Sequence, residues 1–210
     1  MMRPLRAGRR RPHLKSTNPD DAQIYAPPDI LKGMAESTTF TLRRCSAGDE
    51  ARLQLVGGAS FLEAFADILN GDDILAHFHK NHSLEMYEKY LAMPSGRTAV
   101  AEVPPGNGPV GYIVCCEPDL PVDVEPDDYE LRRIYLLHRF QGLGIGKALM
   151  DQAIAYAKEL GRKRLLLGVY GKNHGAIRFY EKAGFTQIGE RYFTVGATTH
   201  HDAVMARPIG

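Results

Sequence analysis

The chain has 210 residues, enough for one domain of about 100–200 residues with a short extension. Hydrophobic residues are 44% and charged residues 24%, which excludes disorder throughout, and no apolar run reaches the ~18 residues of a membrane-crossing helix. Lys and Arg number 26 against 25 Asp and Glu, and the resulting formal charge of +1 argues against a general polyanion binder, so nucleic acid is not an expected partner.

The charge is unevenly spread. Residues 1–33 hold seven Lys/Arg against three Asp, and the remainder holds 19 basic and 22 acidic residues. The same segment has five Pro and an arginine cluster (Arg3, Arg6, Arg9, Arg10, Arg11) without apolar periodicity. It cannot bury enough apolar surface to offset its chain entropy, so a disordered leader is expected, with the folded domain over 34–210. A transit peptide, a basic arm and an inert leader ahead of Met34 all fit; the inert leader is the expectation carried forward. The three cysteines, Cys45, Cys115 and Cys116, have no framework spacing, which predicts reduced thiols and a cytoplasmic protein.

Thr38–Arg44 alternates and reads as a strand. Ala47–Asn70 has helical apolar spacing with an interruption at Gly57–Gly58, and Asp72–Leu91 reads as one further helical stretch stopped by Pro94–Gly96. Thr98–Val103 and Val110–Cys116 read as strands around the turn Pro104–Gly108. After an acidic loop, Glu130–Leu137 is a strand and Gly144–Leu160 a helix closed by Gly161. Arg164–Val169 is a strand, His174–Ala183 a helix closed by Gly184, and Phe185–Val195 and Ala203–Arg207 are the last strands. This order predicts an α/β fold, a mixed sheet with helices on its faces.

The segment Gln141-Gly142-Leu143-Gly144-Ile145-Gly146-Lys147 lies between a strand and a helix. There, free backbone amides and the positive end of the helix dipole can hold phosphates, glycines permit close approach, and Lys147 adds charge. A P-loop would need Gly at 141 and a hydroxyl at 148, where Gln and Ala stand. A dinucleotide fingerprint would need Gly at 147 or 149, where Lys and Leu stand. The remaining Gln-x-x-Gly-x-Gly form resembles the acyl-CoA pyrophosphate loop of the GNAT superfamily of N-acetyltransferases. Asn173 through Phe185 resembles that family's second signature, in which Asn173 and Tyr180 share a helix face.

The resemblance implies a GNAT fold with a central, mostly antiparallel sheet flanked by helices. It implies acetyl-CoA as co-substrate, with no metal, and direct transfer of the acetyl group to a primary amine of a small molecule or peptide. Alternatives are another acyl-CoA or acceptor on the same fold, or a non-catalytic acyl-CoA sensor; a homodimer stays open. By resemblance, the co-substrate would be held by Leu136, His138, Gln141, Gly142, Leu143, Gly144, Ile145, Gly146, Lys147, Asn173 and Tyr180. The main chain near Leu136 would stabilise the oxyanion, Tyr180 would be the general acid toward the sulfur, and Glu130 the general base. Simple alternation puts Glu130, Arg132, Ile134 and Leu136 on one face, from which Glu130 could reach the acceptor.

Other candidates carry less. His77, His79 and His82 lack a matched metal-ligand partner and read as solvated helix positions. His200-His201-Asp202 reads either as part of the acceptor site or as an exposed loop. The loop from Glu117 to Glu130 holds seven acids and no Lys or Arg, which predicts either plain surface or a field that steers cationic amines.

Overall fold

The computed structural model describes residues 39–195 and 198–210, so the expected leader over 1–33 lies outside the described residues. The elements are β1 (Thr41–Arg44), α1 (Glu50–Phe65), α2 (Gly71–Asn81), α3 (Leu84–Ala92), β2 (Arg97–Val103), β3 (Gly108–Cys116) and β4 (Asp128–Leu136). They continue as α4 (Ile145–Glu159), β5 (Arg164–Tyr170), α5 (His174–Lys182), β6 (Thr186–Val195) and β7 (Thr198–Pro208). One seven-stranded sheet has the order β1-β2-β3-β4-β5-β7-β6, antiparallel except for the β4–β5 pair. Among the described residues no helix is long and apolar enough to cross a membrane.

Helix α1 buries Leu53, Val56, Gly57, Ser60 and Phe61, a stripe at helical spacing, and it runs unbroken through Gly57–Gly58. The expected interruption is absent because these glycines make room for neighbours. A Cβ on Gly57 would stand 2.0 Å from the Tyr87 hydroxyl, and one on Gly58 would stand 2.4 Å from the Phe78 ring. The single helix expected over Asp72–Leu91 is instead two. It ends at His82, and Ser83 caps α3 by accepting the Met86 N–H.

Leu53 and Val56 pack with Tyr87, Tyr90, Tyr112, Val114 and Cys116 on one face of the sheet. Helix α4 covers the other face with Ile145, Leu149, Met150, Ala153, Tyr156 and Ala157. Full burial of an Ile, Leu or Met side chain stabilises by about 1.5–3 kcal/mol, which holds α4 firmly to the sheet.

Strand β4 has one extra residue against β3: Leu131 stands opposite Cys115 and Arg133 opposite Val114, leaving Arg132 as a bulge. The bulge corrects the expected alternation. Glu130, opposite Cys116, shares the α1/α3 face with Arg133 and Tyr135, whereas Ile134 and Leu136 take the α4 face. Parallel pairing of β4 with β5 covers only Asp128–Glu130 against Arg164–Leu166. Beyond the bulge the two strands separate, and the gap between them is the cleft.

The acidic loop is partly neutralised by its neighbours. Five of its seven acids are ion-paired: Glu117 with Arg162, Asp119 and Glu130 with Arg132, Asp127 with Lys163, and Asp128 with Arg164. This pairing fastens the loop to the start of β5 and sets four basic side chains against its seven acids. His200, His201 and Asp202 lie within β7, which begins earlier than expected. His200 and Asp202 are buried, so the exposed-loop reading does not hold for them.

Candidate active site

A cleft of about 910 Å³ opens between β4 and β5. Leu136, His138, Gln141, Gly142, Gly144, Gly146 and Lys147 line it on the side of α4, and Asn173, Ala176, Phe179 and Tyr180 line it from α5. Glu63, Phe65, Asp67, Arg133 and Tyr135 line the side toward α1.

Local sequence explains the loop. Gly142 and Gly144 adopt φ of +78° and +82°, a left-handed backbone that strongly favours glycine, and Gly144 forms the N-cap of α4 without a side-chain cap. The first turn of α4 therefore offers backbone amides that no upstream carbonyl can satisfy. Gly146 is helical, and a Cβ there would make only ordinary contacts at 3.9 Å with Leu136 and Phe179. Ile145 points into the core at 0% exposure, and neither it nor Leu143 lines the cleft with its side chain. Lys147 is exposed and pairs with Asp151 at 2.6 Å, a surface pair of small energetic weight.

The main chain of β4 is directed by its pairing. Leu137 N–H donates to Val110 O at 2.9 Å, so alternation turns the Leu136 N–H away from β3 and toward the cleft. His138 N–H donates to Glu63 Oε2 at 2.6 Å, tying the cleft mouth to α1. Asn173 caps α5, its Oδ1 accepting the Ala176 N–H at 3.0 Å.

Tyr180 is 8% exposed and packs edge-on against Phe179 and Phe185. Burial pushes its phenol well above the ordinary tyrosine range, with Tyr135 adding to the shift, so the hydroxyl stays protonated at neutral pH. Tyr135 is itself pushed up to about 12 by burial.

Glu130 does not line the cleft. It is 3% exposed, and its Oε2 accepts from Arg132 at 2.6 Å and from the Asp119 N–H at 2.8 Å. The bulge turns it away from Leu136, so the geometry that sequence alternation gave a general base is not present. Among the described residues, Glu63 and Asp67 are the carboxylates that line the cleft. Both sit on or just after α1, a region without a recognisable motif.

The cysteines are poor nucleophiles: burial pushes Cys45 up to about 12, Cys116 up to about 11, and Cys115 well above the ordinary thiol range. His82 is buried rather than solvated, with Nδ1 2.9 Å from the Tyr87 hydroxyl; His77 is half-buried and stacked on Phe61, and His79 is exposed.

The arrangement can take a ligand with an anionic end at the α4 amides and a slender chain between the splayed strands. The acetyltransferase (GNAT) family model matches residues 62–185. An uncharacterized N-acetyltransferase of Mycobacterium tuberculosis is 33% identical over 161 residues, spanning 77% of this chain and 98% of the relative. An uncharacterized N-acetyltransferase of Methanocaldococcus jannaschii is 33% identical over 151 residues, 71% of this chain and 62% of the relative. Among solved structures, PaiA N-acetyltransferase from Thermoplasma acidophilum in complex with coenzyme A has the same fold, at TM-score 0.65 and 22% identity, covering 81% of this chain and 99% of that one. YncA from Salmonella typhimurium, a putative acetyltransferase with acetyl-CoA, aligns at TM-score 0.57 and 17% identity over 82% of this chain and 95% of that one. Family match, close relatives and fold agree with the cleft: the chain belongs to the GNAT family of acetyltransferases and is an acyltransferase.

Proposed function

We propose that this acyltransferase uses acetyl-CoA and moves the acetyl group to an amine by direct attack within a ternary complex. One observation carries the reading. A helix start with left-handed glycines opens onto a cleft whose inner walls present the Leu136 N–H and the Tyr180 hydroxyl.

The α4 amides, with Gln141 and Lys147 beside them, would hold the pyrophosphate, and Asn173 and Phe179 would flank the pantetheine arm. Acetyl-CoA supplies the activated acyl thioester. The Leu136 N–H stands ready to stabilise negative charge on the acyl oxygen, and its place at a strand edge fixes its direction before the reaction. Tyr180, protonated at neutral pH as any phenol is, gives its proton toward the departing sulfur. Proton removal from the incoming ammonium falls to the cleft carboxylates Glu63 and Asp67, through water, rather than to Glu130.

Tyr180→Phe tests the assignment because it removes one oxygen and keeps the aromatic packing against Phe179 and Phe185. The expected result is a loss of kcat of roughly 10²–10⁴-fold with CoA affinity changed by less than about threefold. Wild-type turnover in the variant, with single-turnover rates also unchanged, would reduce Tyr180 to a packing residue.

A further inference from the structure

Most half-buried arginines near the sheet have carboxylate partners, among them Arg97 with Glu159, Arg132 with Glu130, Arg164 with Asp128 and Arg191 with Asp202. Two do not: Arg207, which lies off the cleft and donates its NH1 to the Ala183 carbonyl at 2.8 Å, and Arg133. Arg133 lines the cleft, and among the described residues no ion pair involves it. Its NH1 donates to the Tyr87 hydroxyl at 3.1 Å, and the guanidinium lies 5.5 and 5.2 Å from the centres of the Tyr87 and Tyr90 rings.

The surroundings confirm that its charge is not cancelled locally. Tyr87 passes the hydrogen-bond chain on to Tyr112 at 3.2 Å and to His82. His82 and His77 are held neutral, pushed down to about 3 and about 4 by burial and then by Arg133 itself. Aromatic faces and neutral hydroxyls hold a guanidinium in place without satisfying its remaining donors. Leaving a partly desolvated cation without an anion is costly, and a ligand that brings the anion recovers that cost.

The position in the fold says which ligand. Arg133 lies on the α1/α3 face of β4, opposite the α4 face that carries Leu136 and the phosphate-binding loop. It is three residues before Leu136, roughly 10 Å along the strand. Tyr135, on the same face, is near enough to influence Tyr180, so this half of the cleft adjoins the reacting end.

We infer that Arg133 is a specificity-determining residue that binds a carboxylate on the acceptor, so the acceptor is an amine bearing a carboxylate, such as an amino acid or the C-terminus of a short peptide. A single guanidinium matches a monoanion; a phosphate dianion would keep one charge uncompensated. Arg can grip a carboxylate through two parallel N–H···O bonds, which orients the amine as well as holding it. The inference rests on the acetyltransferase reading and narrows its substrate class.

The test uses the full chain, acetyl-CoA and matched amine pairs: amino acids and glycyl dipeptides against their C-terminal amides, with an amino-alkyl phosphate and a polyamine as further arms. Thiol release gives kcat/KM. The wild type is expected to favour at least one acid over its amide by about tenfold or more. In Arg133→Gln that ratio should fall to near one, and Arg133→Lys should restore part of it; unfolding midpoint and CoA affinity establish that the variants are folded. Equal rates for every acid and its amide in the wild type overturn the carboxylate site, whatever the variants do, as does faster turnover of the phosphate or polyamine arm than of any acid. Turnover of amides without preference leaves the acetyltransferase reading standing. Absence of turnover with every arm, although CoA binds, counts against both.

Discussion

Replacing Gly144 by Val separates the two reasons for a glycine at the start of α4. Its φ is +82°, and a Cβ there would meet no protein atom within 4 Å. The protein therefore has room for the side chain, and the internal cost is backbone strain of about 1–2 kcal/mol, somewhat more for a β-branched residue. Gly161, just past the other end of α4, is the matched control: φ is +67° and nothing lies within 4 Å. The 15 residues of α4 put it about 22 Å from the loop. Both variants should lose about 3–6 °C in Tm. Only Gly144→Val should weaken CoA binding, by at least tenfold, or about 1.4 kcal/mol, because the added methyls occupy the approach of the pyrophosphate. Calorimetric titration with CoA reads the difference. Equal CoA affinity in the two folded variants would refute phosphate binding at this loop.

Two further outcomes follow from the site's surroundings. Glu130→Gln should keep turnover within about twofold with an unshifted pH–rate profile, while lowering stability by about 1–3 kcal/mol through the weakened contact with Arg132; a lost alkaline-side turnover would return the general-base role to Glu130. His77 and His82 are depressed in the folded state, so the unfolded chain takes up their protons first. Stability should accordingly fall as pH drops below about 6.5, with the loss growing toward pH 4, measured by urea unfolding at a series of pH values; a flat profile from pH 7 to 5 would contradict buried neutral imidazoles.

The phosphate loop and α4 were legible because their information is local: Gly142, Gly144 and Gly161 punctuate a run whose apolar spacing matches the buried stripe of α4. The break between α2 and α3 was also written locally, in the capping Ser83, but the continuous apolar pattern on both sides concealed it. Gly57 and Gly58 misled in the other direction. Their meaning lies in Tyr87 and Phe78, which reach α1 only in the folded chain. The bulge at Arg132 was invisible because it is defined by pairing with β3, and one extra residue put Glu130 and Leu136 on opposite faces. Arg132 and Arg133 are adjacent residues of one type, and no motif in the sequence marks Arg133. The fold gives one a carboxylate and leaves the other a cation at the cleft wall.

Transfer itself is the central claim, and its most direct measurement is amine-dependent release of the CoA thiol from acetyl-CoA by the full chain, with the acetylated amine identified by mass. The expected result is one thiol released per amine acetylated, saturable in both substrates, and falling by about 10²-fold or more in Tyr180→Phe. Thiol release that no amine accelerates, from a protein that still binds CoA, would contradict it.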